Sequence, residues 1–518
     1  MEPTRRERML LGRLKRTKKL FAFLRRHRHE LMDEGFQDEL SAMYRDTGAG
    51  RDAVPPALLA VATLLQAYTG TSDAEAVEMT VVDARWQMVL DVLGAEEPAF
   101  SQGTLQRFRQ RMVAHDMDRR LLERTIELAR ESGAFDYKKL PKKISLAVDS
   151  RPLTGAARVE DTINLLGHAA HKLLIAAAKL AELKPRTLAR RVEAPALISS
   201  SIKRGLDVNW SDPVEKGQAL EELLSQIDSL VHWVRANLDG EAAEEPLSTY
   251  LETIADLREQ DVDPDPPGGK PRIRKGVAKN RRISVEDPDM KHGRKSKSKT
   301  INGYKSHLAA DLDTRLILAC AVTSANEPEA NAFEAVLADV HQLPTSLRQV
   351  HIDRGYIAAK EIDELQDKGV QIVSKPRQLP VTGQFAKDQF KIDLELRAVT
   401  CPGGQTRPFE LGKVVSFGAA ACGSCRLKSW CTQSDTGRTL SIARDEPLQQ
   451  QLRDDIASAK GRERARRRVA IEHRLAHHAQ KQGARARYRG LRLNVFDSRR
   501  YAAVLNLEVV DHAMSNAA

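Results

Sequence analysis

Two short stretches place an acid where a buried strand would least tolerate one. In "KKISLAVDSRPLTG", Ile144, Leu146 and Val148 alternate with Ser145 and Ala147 before Asp149. In "QVHIDRGYIAAKEIDEL", Val350 and Ile352 flank His351 before Asp353, and an Ala-Ala-Lys-Glu-Ile run of helical character follows. Both read as half-buried strands closing on a carboxylate. An acid at that place has two readings. It caps the following helix or shapes a turn, as Asp commonly does, or it is held at the strand end of an α/β sheet to do chemistry. The two aspartates are 353 − 149 = 204 residues apart, so only folding can bring them together. A third carboxylate is expected from a later helix. Between residues 460 and 496 the acids are Glu463 and Glu472, and Glu472 lies four residues after Arg468, on the same helix face.

The elements that would position these acids follow from the surrounding texture. Residues 5–135 read as helices, among them "PPALLAVATLLQAYTG", which opens on prolines and stops at Gly70, and "SQGTLQRFRQRMVAHD", with Ser101 as a cap. Amphipathic segments fill residues 156–265 until "DPDPPGGKPRIRKG" breaks them. Next, "GYKSHLAADLDTRLILACAVTSAN" reads as two apolar strands turning around Asp313 and Thr314. A helix over 328–342, the strand 349–353, a helix over 357–368 and the strand "GVQIVSKP" complete an α/β core with a mixed sheet. The expected division is a helical N-terminal domain (1–137), an α/β core (138–155 and 270–378), a helical insertion (156–269), a Cys-rich insertion (379–445) and a C-terminal helix with a basic tail (446–518).

Charge points to the partner. The chain has 518 residues and net charge +11. Residues 1–30 hold eleven Lys/Arg against three acids, residues 270–305 thirteen against three, and residues 460–500 fourteen against three. Three separated basic segments suit a polyanion, most simply nucleic acid; the alternative is a set of solvated helix faces. No run nears 18 apolar residues, which argues against a membrane span. The basic amino terminus lacks an apolar stretch and a cleavage site, so a cytoplasmic, nucleoid-associated location is expected.

Four of the five cysteines, Cys401, Cys422, Cys425 and Cys431, form C-x20-C-x2-C-x5-C. Four thiolates can close a tetrahedral structural Zn2+ site; unpaired structural thiols or a redox pair are the other readings. Cys320, inside "LILACAV", reads as a small buried hydrophobe.

In order along the chain, "FSQGTLQRFRQR", "AVDSRPL", "DPDMKHGRKSKSKTINGYKSHLAADLDTRLILACAVTSANEPEA", "HIDRGY" and "RRRVAIEHRLAHHAQKQGARARYRG" resemble the Asp-Asp-Glu (DDE) transposases of bacterial insertion sequences, whose catalytic core is similar to RNase H. The resemblance implies an RNase H-like mixed-sheet core and a metal-binding catalytic triad of Asp149, Asp353 and Glu472 holding Mg2+ or Mn2+. Two such ions roughly 3.5 to 4 Å apart supply an activated hydroxyl, in-line geometry and charge neutralisation for phosphodiester cleavage and rejoining. It also implies double-stranded DNA as partner, both terminal inverted repeats and target, and a dimer or larger assembly that pairs two ends. Arg5, Arg6, Arg8, Lys295, Lys297, Lys299, Lys305, Tyr356, Arg468, Lys481, Arg485, Arg487 and Tyr488 are the expected DNA contacts. Related elements often carry an aromatic two residues before the motif Arg and a Lys seven after the Glu; Arg466 and Ala479 stand there in this chain, with Lys481 nearby. The runner-up is a DNA nuclease or catalytically silent DNA-binding protein of the same fold; a purely structural or regulatory nucleic-acid-binding protein is a third class.

Glu463 is nine residues before Glu472. On one ideal helix that spacing turns about 900°, or about 180° away from the starting face, so one of the two must face solvent. The stripe Leu475, Ala476 and Ala479 beside Glu472 selects it over Glu463, which sits among Arg462, Arg464, Arg466 and Arg467.

Counterion release makes log affinity for DNA fall almost linearly with log salt. Charge reversal at Arg5, Arg6 and Arg8, or at Lys295, Lys297 and Lys299, should therefore flatten the salt dependence measured by fluorescence anisotropy on duplex DNA. Unchanged slopes in both variants would make these runs solvated faces.

Overall fold

A computed structural model describes residues 2–14, 19–44, 53–135, 143–263, 269–294, 298–379 and 383–517. Its centre is a six-stranded mixed sheet. Strand β1 (Lys143–Thr154) runs down the middle. On one side it pairs antiparallel with β3 (Thr300–Asp311), and on the other parallel with β5 (Ser346–His351). Beyond β5 lies the parallel β6 (Gln371–Val373). The far edge of β3 is shared by β2 (Lys291–Arg294) and β4 (Ile317–Ser324). This order, with a hairpin and two parallel crossovers, is the RNase H-like mixed sheet expected from the sequence.

Two strand readings change. Asp149 does not end β1; the strand continues to Thr154 because Ser150 to Thr154 stay paired with His307 to Gly303 of β3. Nor is its first half buried on one face only. Ile144, Ser145, Leu146, Ala147 and Val148 are all buried, because a central strand flanked by parallel crossovers is covered on both faces. The expected turn is present: the Asp311 carboxylate accepts from Thr314 N (3.0 Å) and Thr314 Oγ1 (2.8 Å), closing the hairpin of β3 and β4.

Helix α1 (Phe333–His341) packs against β4, and α2 (Ala459–Arg466) leads into α3 (Val469–Gln482), which crosses β1 and β3. The expectation of one continuous helix carrying both Glu463 and Glu472 is corrected here. The chain turns at Arg467 and Arg468, so Glu463 belongs to α2 and Glu472 to the first turn of α3. Helix α4 (Leu491–Ala517) has 27 residues and spans about 40 Å. It lies on β4 and on the helices Met117–Glu131 and Pro56–Thr69. The N-terminal helices and the sheet therefore share one apolar core reaching from Leu14 to Val510. Arg499 stitches the two together through Asp118 (3.0 Å) and Asp339 (3.0 Å).

The helical insertion, with helices Thr162–Leu180, Pro213–Asn237 and Leu247–Asp261, has an apolar core of its own. So does the Cys-rich segment, around Phe390, Val399, Phe417 and Ile442. No helix among the described residues is long and apolar enough to cross a membrane.

His478 on α3 is fully buried, its Nε2 3.0 Å from Ser498 O and its Nδ1 without a partner. Burial lowers its pKa to about 4, so the fold holds the neutral ring and the unfolded chain, with a pKa near 6.5, takes up the proton first. The stability this neutrality supplies is complete above pH 6.5 and is lost as pH falls toward 4. Going from pH 7 to pH 5 should cost about 2 kcal/mol through this group. His478→Gln, which keeps a donor for Ser498 but no titrating ring, should show a correspondingly smaller acid loss in urea unfolding; identical losses would contradict the assignment.

Candidate active site

The parallel register of β1 and β5 ends at Ala147 opposite His351. Asp149 lies two residues further along β1, and Asp353 two residues beyond the end of β5, so the register brings both to the same end of the sheet. Asp149 accepts from Ser150 N through Oδ1 (2.8 Å) and from Arg468 Nη1 through Oδ2 (2.9 Å). Burial pushes its carboxyl above the ordinary Asp range. The Arg468 guanidinium opposes that push, while Asp353 and Glu329 add to it.

Asp353 precedes the 3-10 turn Arg354–Tyr356 but makes no side-chain cap hydrogen bond to it. The capping role that its position suggests is not realised, and its oxygens remain available to the cleft. Glu472, with a half-exposed side chain, binds Arg468 Nη2 through Oε1 at 2.9 Å. One guanidinium thus bridges Asp149 and Glu472. It can do so because Arg468 sits at the turn between α2 and α3, one helical turn before Glu472.

Asp149, Asp353 and Glu472 line one open cleft of about 780 Å3, together with Arg468, Lys305 and Glu329. Glu463 is not among its lining residues. The four carboxylates are hard oxygen donors of the kind that suits Mg2+ or Mn2+. Among the described residues, no three His, Cys, Asp or Glu side chains are already drawn together as a metal-holding set. In the cleft, a cationic guanidinium occupies the space between two of the acids.

The expected DNA contacts divide. Arg5, Arg6 and Arg8 are exposed on the helix Arg5–Arg13, and Lys299 is exposed beside β3. Lys295 and Lys297 lie outside the described residues. Lys305 lines the cleft while donating to Glu327 O (2.6 Å), and Arg485 is exposed with one bond to Ala156 O (2.8 Å). Four others have partners within the protein. Tyr356 is fully buried, its hydroxyl 2.6 Å from His307 Nδ1. Lys481 binds Glu508 (2.7 Å). Arg487 binds Thr71 O (2.9 Å) and Asp73 (3.3 Å), and Tyr488 accepts from Arg109 (3.0 Å). Tyr356 packs inside the sheet core, whereas Lys481, Arg487 and Tyr488 meet Tyr68, Asp73 and Arg109 where the N-terminal helices pack against the chain around α3 and α4.

Ser150, Arg151, Arg294 and Glu329 are polar cleft residues that sequence reasoning missed. Glu329 belongs to "SANEPEA", where a helix start was expected and no spacing marked the acid as special.

In the Cys-rich segment, Cys401, Cys422, Cys425 and Cys431 line one small cavity of about 20 Å3. No disulfide joins them. Backbone N–H groups point at two sulfurs, Gln405 N at Cys401 Sγ (3.4 Å) and Arg438 N at Cys422 Sγ (3.3 Å). Burial raises the Cys431 thiol, and the three neighbouring cysteines add to the rise. Cys320 is buried within β4, as expected, its thiol pushed up to about 12 by desolvation.

Residues 274–507 match the family described as "Transposase DDE domain", and residues 13–111 match "Transposase domain (DUF772)". The first match includes Asp353 and Glu472, whereas Asp149 lies before it and reaches the cleft through the register of β1. No curated protein and no solved structure gave a significant match to the chain. With an RNase H-like sheet that brings Asp149 and Asp353 to one cleft, a helix that brings Glu472 to the same cleft, and both transposase domains in order, the chain belongs to the DDE transposases of insertion sequences.

Proposed function

We propose that this DNA transposase binds the terminal inverted repeats of its element and carries out hydrolysis and strand transfer in the cleft of Asp149, Asp353 and Glu472, with Mg2+ or Mn2+. The observation that supports this most is the shared cleft of these three acids. Their oxygens fit a divalent cation. Asp353 has no capping bond to give up, and the guanidinium that pairs with both Asp149 and Glu472 supports a place for positive charge between them. Bound divalent ions supply Lewis acidity and lower the pKa of an attacking hydroxyl.

The chain's own residues do the remaining work. Lys305 and Arg468 offer charge-assisted donors to the phosphate that enters. Arg468 exchanges its carboxylate partners for that phosphate, leaving Asp149 and Glu472 free for the cations. In the first step a water oxygen bonds to phosphorus, the P–O3′ bond breaks, and the departing oxygen takes up a proton as a free 3′-OH. In the second step that 3′-OH loses its proton and attacks a target phosphodiester, releasing the target's own 3′-OH. No covalent protein intermediate is needed. Pairing two ends calls for a dimer or larger assembly on DNA. The related nuclease reading differs only in the second step, so joined products on a target plasmid separate the two.

Asp149→Asn, Asp353→Asn and Glu472→Gln should each abolish cleavage of a plasmid carrying the element's ends in MgCl2, with about the wild-type affinity for the end duplex. Glu463→Gln should cut normally. A Glu472→Gln protein that still cuts, or an inactive Glu463→Gln protein, would reverse the assignment of the third acid.

We further propose that the four cysteines hold a structural Zn2+. The four cysteines lining one cavity and the N–H groups aimed at two of their sulfurs support this reading, since such bonds stabilise thiolate. Elemental analysis of protein purified without chelator should find about one zinc per chain. Cys425→Ser should lower both zinc content and the melting temperature, and zinc-free wild-type protein would refute the site.

A further inference from the structure

Glu329 is the carboxylate in the cleft with no part in the chemistry above. It begins the 3-10 segment Glu329–Ala332 that carries the chain from β4 into α1, and it faces the cleft beside Asp149 and Asp353. Among the described residues, no Lys or Arg forms an ion pair with it, so it is not the acidic half of a surface salt bridge. Its two oxygens are used differently. Oε1 accepts a short hydrogen bond from the hydroxyl of Ser150, the residue after Asp149. Oε2 rests on Gly355, two residues after Asp353. A Cβ built on Gly355 would overlap Oε2 and stand 3.0 Å from Cδ and 3.2 Å from Cβ of Glu329. Gly355 is not one of the glycines with positive φ, so its backbone conformation does not call for glycine; a Cβ there would instead displace the Glu329 carboxylate.

We infer that Glu329 is a positioning residue, a clasp between the segment after Asp149 and the segment after Asp353 that sets the spacing of those two carboxylates. The inference rests on reading Asp149 and Asp353 as the cation-holding pair. Beyond the last paired residues, Ala147 and His351, no β1–β5 ladder holds the two segments together, and both must stay in place for a shared cation. Glu329 spans that gap. Because a hydroxyl donates to it, the acceptor oxygen matters to the clasp and the negative charge does not, so a glutamine should serve nearly as well. The cleft also explains "DRGY" in part: Gly355 makes room for the clasp, and Tyr356 is buried behind it against His307.

Mn2+ binding to the DNA-free protein, followed by electron paramagnetic resonance, tests this apart from turnover. Glu329→Ala should weaken binding, and slow plasmid cleavage, by about tenfold or more, in keeping with the cost of small misplacements of reacting groups. Gly355→Ala should do the same, since the added methyl displaces the carboxylate. The double variant should lie within about twofold of Glu329→Ala alone, because the methyl has lost the group it collides with. Glu329→Gln should stay within about threefold of wild type. Melting temperatures of all four proteins establish that they are folded. A Glu329→Gln protein as impaired as Glu329→Ala would make the charge itself essential and overturn the clasp, as would additive losses in the double variant or unchanged Mn2+ binding in Glu329→Ala. The underlying reading fails separately: Asp149→Asn and Asp353→Asn proteins that bind Mn2+ like wild type would remove the cation-holding pair, and the clasp with it.

Discussion

The cleft depends on one short piece of parallel pairing. Strands β1 and β5 share only Lys143 to Ala147 against Ser346 to His351, yet that ladder decides which residues of two distant segments meet. A slip of one residue would turn every side chain to the opposite face of the sheet, and would separate Asp149 from Asp353 even if both strands stayed in place. Register is well specified here because both faces of β1 are buried. Leu146 and Val148 must go to one side, Ser145 and Ala147 to the other, and neither side tolerates the wrong set. The apolar core thus determines the separation of the two polar groups beyond it.

Charge balance is the second constraint. Four carboxylates converge on one cleft, and burial alone already disfavours ionised Asp149. Arg468 relieves this by bridging Asp149 and Glu472, a placement made available by the turn between α2 and α3. A longer unbroken helix would carry Arg468 along a different path. The same guanidinium is therefore both a counter-ion of Asp149 and Glu472 and a basic group lining the cleft. The ion pair of Arg468 with Glu472, four residues apart on the helix, is what a merely solvated helix face would also form, but its second partner across the sheet is not.

The two insertions enter where they leave the β1–β5 ladder undisturbed. The helical one leaves β1 after Thr154 and returns before β2; the Cys-rich one lies between β6 and α2. Each closes its own core, so their internal packing makes no demand on the strand register. The N-terminal helices behave otherwise. They share the core of the sheet through α4 and the buried ion pairs of Arg499, which is why part of the basic chain near α3 and α4 is committed to internal contacts and not to a polyanion.

Sequence by itself determined the local features: the apolar alternation of β1 and β5, the Asp311 to Thr314 turn, the helical insertion, the buried Cys320 and the close sequence spacing of Cys422, Cys425 and Cys431. It also marked Asp149 and Asp353, because an acid after an apolar run is conspicuous, while Glu472 came from its spacing to Arg468 and from the family resemblance. Only the tertiary structure decided the length of β1, the break between Glu463 and Glu472, the partners within the protein of Tyr356, Lys481, Arg487 and Tyr488, and the place of Glu329. Each of those depends on a partner hundreds of residues away or on the packing of a joint between elements. Hydrophobic periodicity reports which face of a segment seeks burial; it carries no information about which segment will cover that face, and therefore none about which polar groups are brought together at its edge.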